Sequence, residues 1–219
     1  FKWAMSEAAT EDYPTTQIDN GKTGKCVKLE TRLTGDLGNM VGMPIAAGNL
    51  FIGSFDMLNA ITNPLSATRF GTPFYNKPLR LTGYYKYKAG EQFYENGEYT
   101  SRKDIFNIYA IFYDGVKYDS AGKGTDVTLD GNLPNQNYEH SSMVALALVS
   151  NPQETEGDEW KFFDIPFDYQ RYGKKIDEAR LAKGEYKIGI IFASSKDGAT
   201  FEGAPGSTLL IDEVELIYE

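Results

Sequence analysis

Apolar and polar residues alternate with a period of two along much of the chain, a pattern that predicts half-buried β-strands. Residues 79–88 read LRLTGYYKYK, and one predicted face of this segment carries Leu79, Leu81, Gly83, Tyr85 and Tyr87. The opposite face carries Arg80, Thr82, Tyr84, Lys86 and Lys88. We therefore expect Tyr84 to lie among charged side chains on a face that is in contact with water.

Two other segments each have one apolar face, and we expect these faces to meet in a single core. In residues 104–114 the face consists of Phe106, Ile108, Ala110 and Phe112, and in residues 185–194 it consists of Tyr186, Ile188, Ile190 and Phe192. Asp-Gly and Pro-Gly turns separate further predicted strands, which lie at 26–33, 50–55, 143–149, 160–167 and 208–218.

Eight or more strands without intervening helices predict an all-β fold, because parallel sheets need long crossover connections. We expect an antiparallel two-sheet sandwich or a barrel, with at most one or two short helices, one of them at 176–182. Two long stretches, 56–77 and 115–141, are expected to be irregular. The aromatic rings of the first stretch should plug one end of the sandwich or line a site. Nothing resembles a linker, so residues 1–219 are predicted to form one domain.

Composition and charge exclude several classes of function. The 219 residues are 41% hydrophobic and 14% aromatic, unlike a disordered chain. A net charge of −9 argues against nucleic acid as a partner, and no apolar run is long enough to span a membrane. The single cysteine, Cys26, excludes an internal disulfide and is predicted to be buried and inert. The single histidine, His140, is predicted to lie on the surface.

Two segments partly resemble binding motifs, one for phosphate and one for calcium, but each lacks a residue that its motif requires. Gly-Lys-Thr at 21–23 lacks the earlier glycine of a phosphate-binding loop and precedes a predicted strand. Asp130-Gly131-Asn132 has Pro134 at the third ligand position of an EF-hand loop. The acidic run at 154–159 is expected to be a solvated hairpin loop. With 31 Asp and Glu residues, a glycosidase site of two carboxylates stays open.

Tyrosine is the most informative residue type, with 15 Tyr beside 13 Phe and 2 Trp. Sugars offer apolar C–H faces that stack on rings and hydroxyls that need hydrogen-bond partners. Tyr84 beside Arg80 and Lys86, and Tyr109 beside Asn107, would supply both. The alternative is that these tyrosines only pack on half-exposed strand faces.

Several segments resemble a known family, most specifically 70–90, FGTPFYNKPLRLTGYYKYKAG, and 190–216, IIFASSKDGATFEGAPGSTLLIDEVEL. Residues 47–55, 108–114 and 165–169 agree with it as well. The chain thereby resembles the putative carbohydrate metabolism domain family of Bacteroides-type bacteria. The resemblance implies a jelly-roll β-sandwich similar to carbohydrate-binding modules.

The same resemblance implies where the protein acts and which ion it holds. Such domains often form the C-terminal part of exported, lipid-anchored proteins, so we expect a periplasmic or outer-membrane location and an anchor in a region before Phe1. An acid in the last strand of similar jelly rolls often helps to hold a structural calcium. Asp212 matches that position, with Glu213 beside it, and no other cofactor is expected.

We predict a non-catalytic carbohydrate-binding module of a glycan-utilisation protein. A glycoside hydrolase that uses two carboxylates and a structural or adhesion module are the alternatives. Tyr84 would stack on a sugar ring, Lys86 and Arg80 would donate hydrogen bonds, and the site would be closed by Tyr75, Lys196 and Asp197.

The loop at 194–207, which contains Lys196 and Asp197, is predicted to have its own anchor. Phe201 should insert inward, and Lys196 and Asp197 should then point outward as a polar pair. Gly203 and Gly206 should adopt backbone angles that other residues resist.

Overall fold

The computed structural model describes residues 13–58, 60 and 62–219, apart from the side chain of Leu37. In chain order the strands are β1 (Thr15–Ile18), β2 (Cys26–Glu30), β3 (Arg32–Leu33), β4 (Ile45–Ala46), β5 (Asn49–Phe51), β6 (Gly53–Phe55), β7 (Thr68–Phe70), β8 (Thr72–Phe74), β9 (Pro78–Lys88), β10 (Phe93–Glu95), β11 (Glu98–Thr100), β12 (Asn107–Asp114), β13 (Val116–Tyr118), β14 (Gly124–Asp126), β15 (Leu129–Asp130), β16 (Met143–Leu148), β17 (Lys161–Pro166), β18 (Tyr186–Ala193) and β19 (Thr208–Tyr218). The helices are α1 (Gly35–Met40), α2 (Pro64–Ala67) and α3 (Glu178–Leu181), with 3₁₀ turns at Pro134–Gln136 and Gly198–Thr200.

Two antiparallel sheets form the body of the molecule. Sheet 1 has the order β1-β2-β19-β9-β17, and sheet 2 has the order β16-β12-β18-β5, with β8 also paired to β18. If β2, β5, β9, β12, β16, β17, β18 and β19 are numbered 1 to 8 along the chain, the two sheets read 1-8-3-6 and 5-4-7-2. This is the jelly-roll arrangement, so the predicted all-β, antiparallel sandwich is confirmed. The described part of the chain has three short α-helices, one more than expected.

The main core lies between the sheets and contains both predicted apolar faces, which confirms their register. The two faces lie side by side on sheet 2, since Ile108 pairs with Phe192 and Phe112 with Ile188. Sheet 1 covers them with inward-facing side chains, namely Leu29, Leu81, Tyr85, Tyr87, Phe163, Ile165, Leu209 and Ile211.

A second apolar core covers the opposite face of sheet 2, where the alternation predicted a mixed surface. It is built from Phe70, Tyr109, Ile111, Tyr113, Leu129, Leu133, Tyr138, Met143, Leu146 and Ile191. The stretches 56–77 and 115–141 supply much of this cover and are not irregular, because β15 of one pairs with β7 of the other. Phe70 therefore packs on the face of a sheet and does not plug an end of the sandwich.

The acidic run at 154–159 belongs to the connection from β16 in sheet 2 to β17 in sheet 1, so it is not a hairpin loop. Two of its residues are bound to β9 and the chain that follows it. The backbone N–H of Thr155 donates to the carbonyl of Tyr87 at 3.0 Å, and the carboxylate of Glu154 accepts from the N–H of Ala89 at 2.9 Å.

A buried polar network closes one end of the sandwich around Asp104, which is 2% exposed. Asp104 Oδ2 accepts hydrogen bonds from Ser195 Oγ at 2.5 Å, Ala204 N at 2.8 Å and Ser207 Oγ at 2.7 Å. Thr31 Oγ1 lies 2.5 Å from Ser195 Oγ and extends the network to sheet 1. The network fixes both ends of the loop 194–207.

None of the helices in the described residues is long and apolar enough to cross a bilayer.

Candidate functional site

Three neighbouring rings lie on the outer face of sheet 1, and we call them the aromatic strip: Tyr84 on β9, Trp160 just before β17, and Phe162 on β17. Tyr84 and Phe162 are register partners, with ring centroids 5.1 Å apart and planes inclined by 54°. Phe162 is 55% exposed, while Tyr84 and Trp160 are half-buried. The strip therefore presents ring surface to solvent on an open sheet face.

Two lysines lie over rings of the strip. Lys22 Nζ is 4.0 Å from the centroid of the Tyr84 ring, and Lys86 Nζ is 5.0 Å from the centroid of a Trp160 ring. Each ammonium is attracted by the negative face of its ring. Part of the Tyr84 ring is consequently covered by a long, exposed side chain.

Ion pairs flank the strip at both ends. Arg80 Nε lies 2.6 Å from Asp164 Oδ1, and Lys86 Nζ lies 3.3 Å from Asp158 Oδ1. Charged donors and acceptors thus lie beside the rings on one face. Arg80 and Lys86, predicted from alternation on a single strand, do share this face with Tyr84.

The sequence analysis did not single out Phe162 and Trp160. Residues 160–164 read WKFFD, so Trp160, Phe162 and Asp164 alternate on one predicted face. That alternation is the signal that could have identified them. Their position beside Tyr84 depends on the pairing of β17 with β9, which alternation alone does not give.

Asp212, the predicted calcium ligand, lies opposite Tyr84 on β19. Its carboxylate accepts the backbone N–H groups of Thr23 at 3.2 Å and Glu213 at 2.8 Å. Within the described ranges, no group of three or more His, Cys, Asp or Glu side chains could hold a metal ion. Calcium at Asp212 stays a prediction.

The other three predicted site residues do not meet at one place. Tyr75 is 58% exposed and packs on Gly184, just before β18. Lys196 and Asp197 follow the opposite end of β18. Asp197 is half-buried and forms an ion pair with Arg102, so it does not pair with Lys196 as expected.

The outer face of sheet 2 carries a pocket of about 200 Å³, which we call the aromatic pocket. β5, β12 and β18 form its floor, and α2 and the segments around Gly131 and Phe201 form its walls. The rings that line it are Phe51, Phe55, Phe70, Tyr109 and Phe201. It is an apolar concavity on the sheet opposite the aromatic strip.

Edge-to-face contacts hold the rings of the pocket floor. The Phe70 ring centroid lies 5.7 Å from that of Phe51 and 6.3 Å from that of Tyr109. The Tyr109 centroid lies 5.1 Å from that of Tyr138. Such pairs stabilise fixed ring positions, so the floor is a preformed surface.

The prediction that Asn107 and Tyr109 lie on a wet strand face is wrong. Both side chains are 3% exposed, because the second core covers this face of β12. Asn107 Nδ2 donates to the hydroxyl of Tyr138 at 2.9 Å. Burial raises the pKa of the Tyr109 hydroxyl well above its ordinary value, so this residue is a neutral element of the pocket floor.

Phe201 is half-buried at the pocket wall and is not inserted into either core, so the predicted anchoring is only partial. Its φ of 61° is unusual for a bulky residue. Gly203 and Gly206 have φ values of 156° and 93°, which confirms their predicted backbone role. A Cβ atom at Gly203 would lie 2.6 Å from Ser195 Oγ.

Cys26 and His140 occupy the predicted environments. Cys26 is 4% exposed, and burial raises the pKa of its thiol. His140 is exposed, and its Nδ1 accepts the N–H of Ser142 at 3.1 Å. Since Cys26 lies on sheet 1 and His140 precedes β16 of sheet 2, they do not form a nucleophile–base pair.

Both the aromatic strip and the aromatic pocket offer aromatic ring surface, one on each sheet of the sandwich. Residues 1–217 match the model of the putative carbohydrate metabolism domain. The chain belongs to this family. The match extends the resemblance seen from residue 47 onward to the N-terminal segment of this carbohydrate metabolism domain. Among curated proteins, none matches the chain.

Two solved structures are similar to this carbohydrate metabolism domain over most of its length. A putative glycoside hydrolase from Bacteroides vulgatus ATCC 8482 is 54% identical, with a TM-score of 0.87, and the match covers 95% of this chain and 79% of that one. A putative glycoside hydrolase from Bacteroides thetaiotaomicron VPI-5482 is 50% identical, also with a TM-score of 0.87. Here the match covers 98% of this chain but only 59% of the other protein.

Proposed function

We propose that this carbohydrate metabolism domain binds a glycan without cleaving it, through the aromatic strip. The observation that carries the proposal is the solvent-facing ring pair of Tyr84 and Phe162 between two ion pairs. The C–H face of a sugar ring stacks on such rings, and the flanking charged groups reach its hydroxyls. Membership of a carbohydrate metabolism family supports a glycan as the ligand.

Phe162 is the main stacking platform in this proposal because more than half of it is exposed. Lys22 covers part of the Tyr84 ring, so a sugar above Tyr84 displaces the lysine or accepts a hydrogen bond from it. Arg80 and Lys86 are held by Asp164 and Asp158, which orients their remaining donors. A site of this size gives weak binding, with a Kd on the order of 10–1000 μM.

The state of the carboxylates favours binding over hydrolysis. A glycosidase needs one carboxyl group with a raised pKa as general acid, near a second that stays ionised. Beside the strip, Asp158 and Asp164 are each engaged in an ion pair, with Lys86 and Arg80 respectively. Burial raises the pKa of Asp104, but that side chain is 2% exposed and cannot contact a substrate.

The test is affinity electrophoresis of the purified chain in gels that contain plant and host polysaccharides, followed by titration with the best ligand. Phe162→Ala should weaken binding by about threefold to tenfold, the worth of one aromatic contact. Tyr84→Ala should weaken it less, because Lys22 already covers part of that ring.

Tyr99→Ala is the matched control, since Tyr99 is 51% exposed but lies on the β10–β11 hairpin. Its affinity should equal that of the wild type. Unchanged affinity in both Phe162→Ala and Tyr84→Ala, with normal circular dichroism, would remove the strip from the binding site.

Hydrolysis is the second candidate because both solved relatives are described as putative glycoside hydrolases. Asp164 and Asp168 line one groove at the β16–β17 side of the sandwich and are the acids to test. Release of reducing sugar by the wild type, abolished by Asp164→Asn or Asp168→Asn, would favour this function.

The domain's place in the cell follows the same reasoning. We place it in an exported, lipid-anchored protein at the periplasm or outer-membrane surface, where glycans are captured. Cell fractionation and surface labelling of the native protein test this, and recovery in the cytoplasmic fraction would contradict it.

A further inference from the structure

The aromatic pocket differs from the aromatic strip in its charge. The pocket's described lining residues include no aspartate or glutamate, and Lys196 is the one charged side chain among them. This is unusual in a chain that has 31 acidic and 22 basic residues. Within the pocket lining, Lys196 is therefore the group that can pair with an anionic ligand.

Lys196 has a fixed backbone and an ammonium group that is available to a ligand. Its N–H donates to the carbonyl of Ile105 at 2.8 Å, and the preceding Ser195 is held by Asp104. In the described part of the chain, Lys196 Nζ has neither an ion pair nor a hydrogen bond. The backbone thus places an unpaired cation beside the apolar pocket.

The size of the pocket suits one sugar ring. Its volume of about 200 Å³ is below the ~300–1,000 Å³ typical of sites for drug-sized ligands. Phe55 is 54% exposed and Phe201 is half-buried, so both offer ring surface to a ligand. The left-handed backbone of Phe201 is the kind of strain that proteins keep at binding sites.

We propose that the aromatic pocket binds a single sugar residue that carries a carboxylate, such as a hexuronic acid. The sugar ring packs against Phe201 and Phe55, and its carboxylate pairs with Lys196. The inference rests on the proposed function for the class of ligand, but it names a different surface on the opposite sheet.

Titration of the purified chain with galacturonic and glucuronic acids, and with neutral galactose and glucose, tests the proposal by chemical-shift mapping and calorimetry. The acidic sugars should bind about tenfold more tightly, the worth of a hydrogen bond to a charged group. Lys196→Gln should remove this preference. Added salt should lower the affinity for the acidic sugars but not the affinity for the neutral ones.

The Phe201→Gly variant should bind all four sugars more weakly. It should still fold, because glycine adopts the left-handed backbone without strain. Lys175→Gln is the matched control, since Lys175 is an exposed lysine that does not line the pocket. Its preference for acidic sugars should equal that of the wild type.

Three results would overturn the proposal: no binding of the acidic sugars, equal affinity for acidic and neutral sugars, or an unchanged preference in Lys196→Gln.

The Phe162→Ala variant distinguishes binding at the aromatic strip from binding in the aromatic pocket. If Phe162→Ala no longer binds the acidic sugars while Phe201→Gly still binds them, the ligand lies on the aromatic strip. The pocket proposal then fails, and the proposed function stands. If Phe162→Ala binds both the acidic sugars and the polysaccharide as the wild type does, the pocket proposal stands and the aromatic strip is not the binding site.

Discussion

Asp104 joins loops that lie far apart in the sequence. Its Oδ2 atom accepts from residues 195, 204 and 207, and its Oδ1 atom accepts the N–H of Ile105 at 2.9 Å. Four donors on one carboxylate compensate much of the cost of burying it. Because Ser195 precedes Lys196, the same carboxylate positions the mouth of the aromatic pocket.

Asp104→Asn should destabilise the protein by about 1–3 kcal/mol, the cost of a buried donor without an acceptor. An amide has one acceptor oxygen, so either the donors at Oδ2 or the N–H of Ile105 would face an NH₂ group. Urea unfolding at pH 7 measures the effect. Thr100→Ala, at a half-buried position of the β10–β11 hairpin, is the control. An equal loss of unfolding free energy in both variants would contradict a special role for Asp104.

Single residues on the outer strand face were predictable where alternation was strict. Tyr84 alternates with Arg80 and Lys86, and all three share one face of sheet 1. Tyr109 and Asn107 alternate in the same way, but a second layer of chain covers them. The sequence of one strand tells which residues share a face, whereas the rest of the chain decides whether water reaches that face.

Among elements, the long strands were predictable and the short ones were not. Predicted segments agree with β9, β12, β16, β17, β18 and β19 within about three residues at each end, because each of these strands is at least six residues long. Strands β7, β8 and β15 have two or three residues, too few to show a period. They form because partners from distant stretches pair with them.

The central position of β18 gives a prediction for the main core. Ile190 is 7% exposed and pairs with Ala110, whose small side chain cannot fill a space left beside it. Ile190→Ala should therefore lower the free energy of unfolding by roughly 2–5 kcal/mol, measured by urea denaturation.

Ile217→Ala on β19 is the matched control, because Ile217 is 37% exposed. It should cost less than about 1 kcal/mol, as surface substitutions do. Similar losses in the two variants would mean that Ile190 does not pack as the core requires.

At the scale of the whole molecule, the jelly-roll topology decides which residues can form a site. Alternation and loop composition suggested that Tyr75, Lys196 and Asp197 could close a site around Tyr84. The topology instead places Tyr75 and Lys196 at opposite ends of β18, and Lys196 at a pocket on sheet 2. Contacts between sheets depend on strand order, which needed the resemblance to a family rather than the pattern of one segment.

The acid response of the whole molecule follows from its ion pairs. Glu185 accepts a hydrogen bond from Arg180 at 2.6 Å, Glu95 accepts one from Arg102 at 2.9 Å, and Glu154 forms an ion pair with Lys103. The hydrogen bonds from these cations lower the pKa of each glutamate below 4.5. A lowered folded-state pKa stabilises the fold above pH 4.5, and this contribution is lost as the pH falls through the folded-state values.

Asp104 acts in the opposite sense, since burial raises its pKa and its contribution grows as the pH falls. The three glutamates outnumber it, so the urea midpoint should fall as the pH drops below about 4.5. Glu185→Gln cannot titrate at that position, so its midpoint should fall less steeply than that of the wild type over the same range. A wild-type midpoint that is constant or rises between pH 4.5 and 3 would mean that these ion pairs do not govern acid stability.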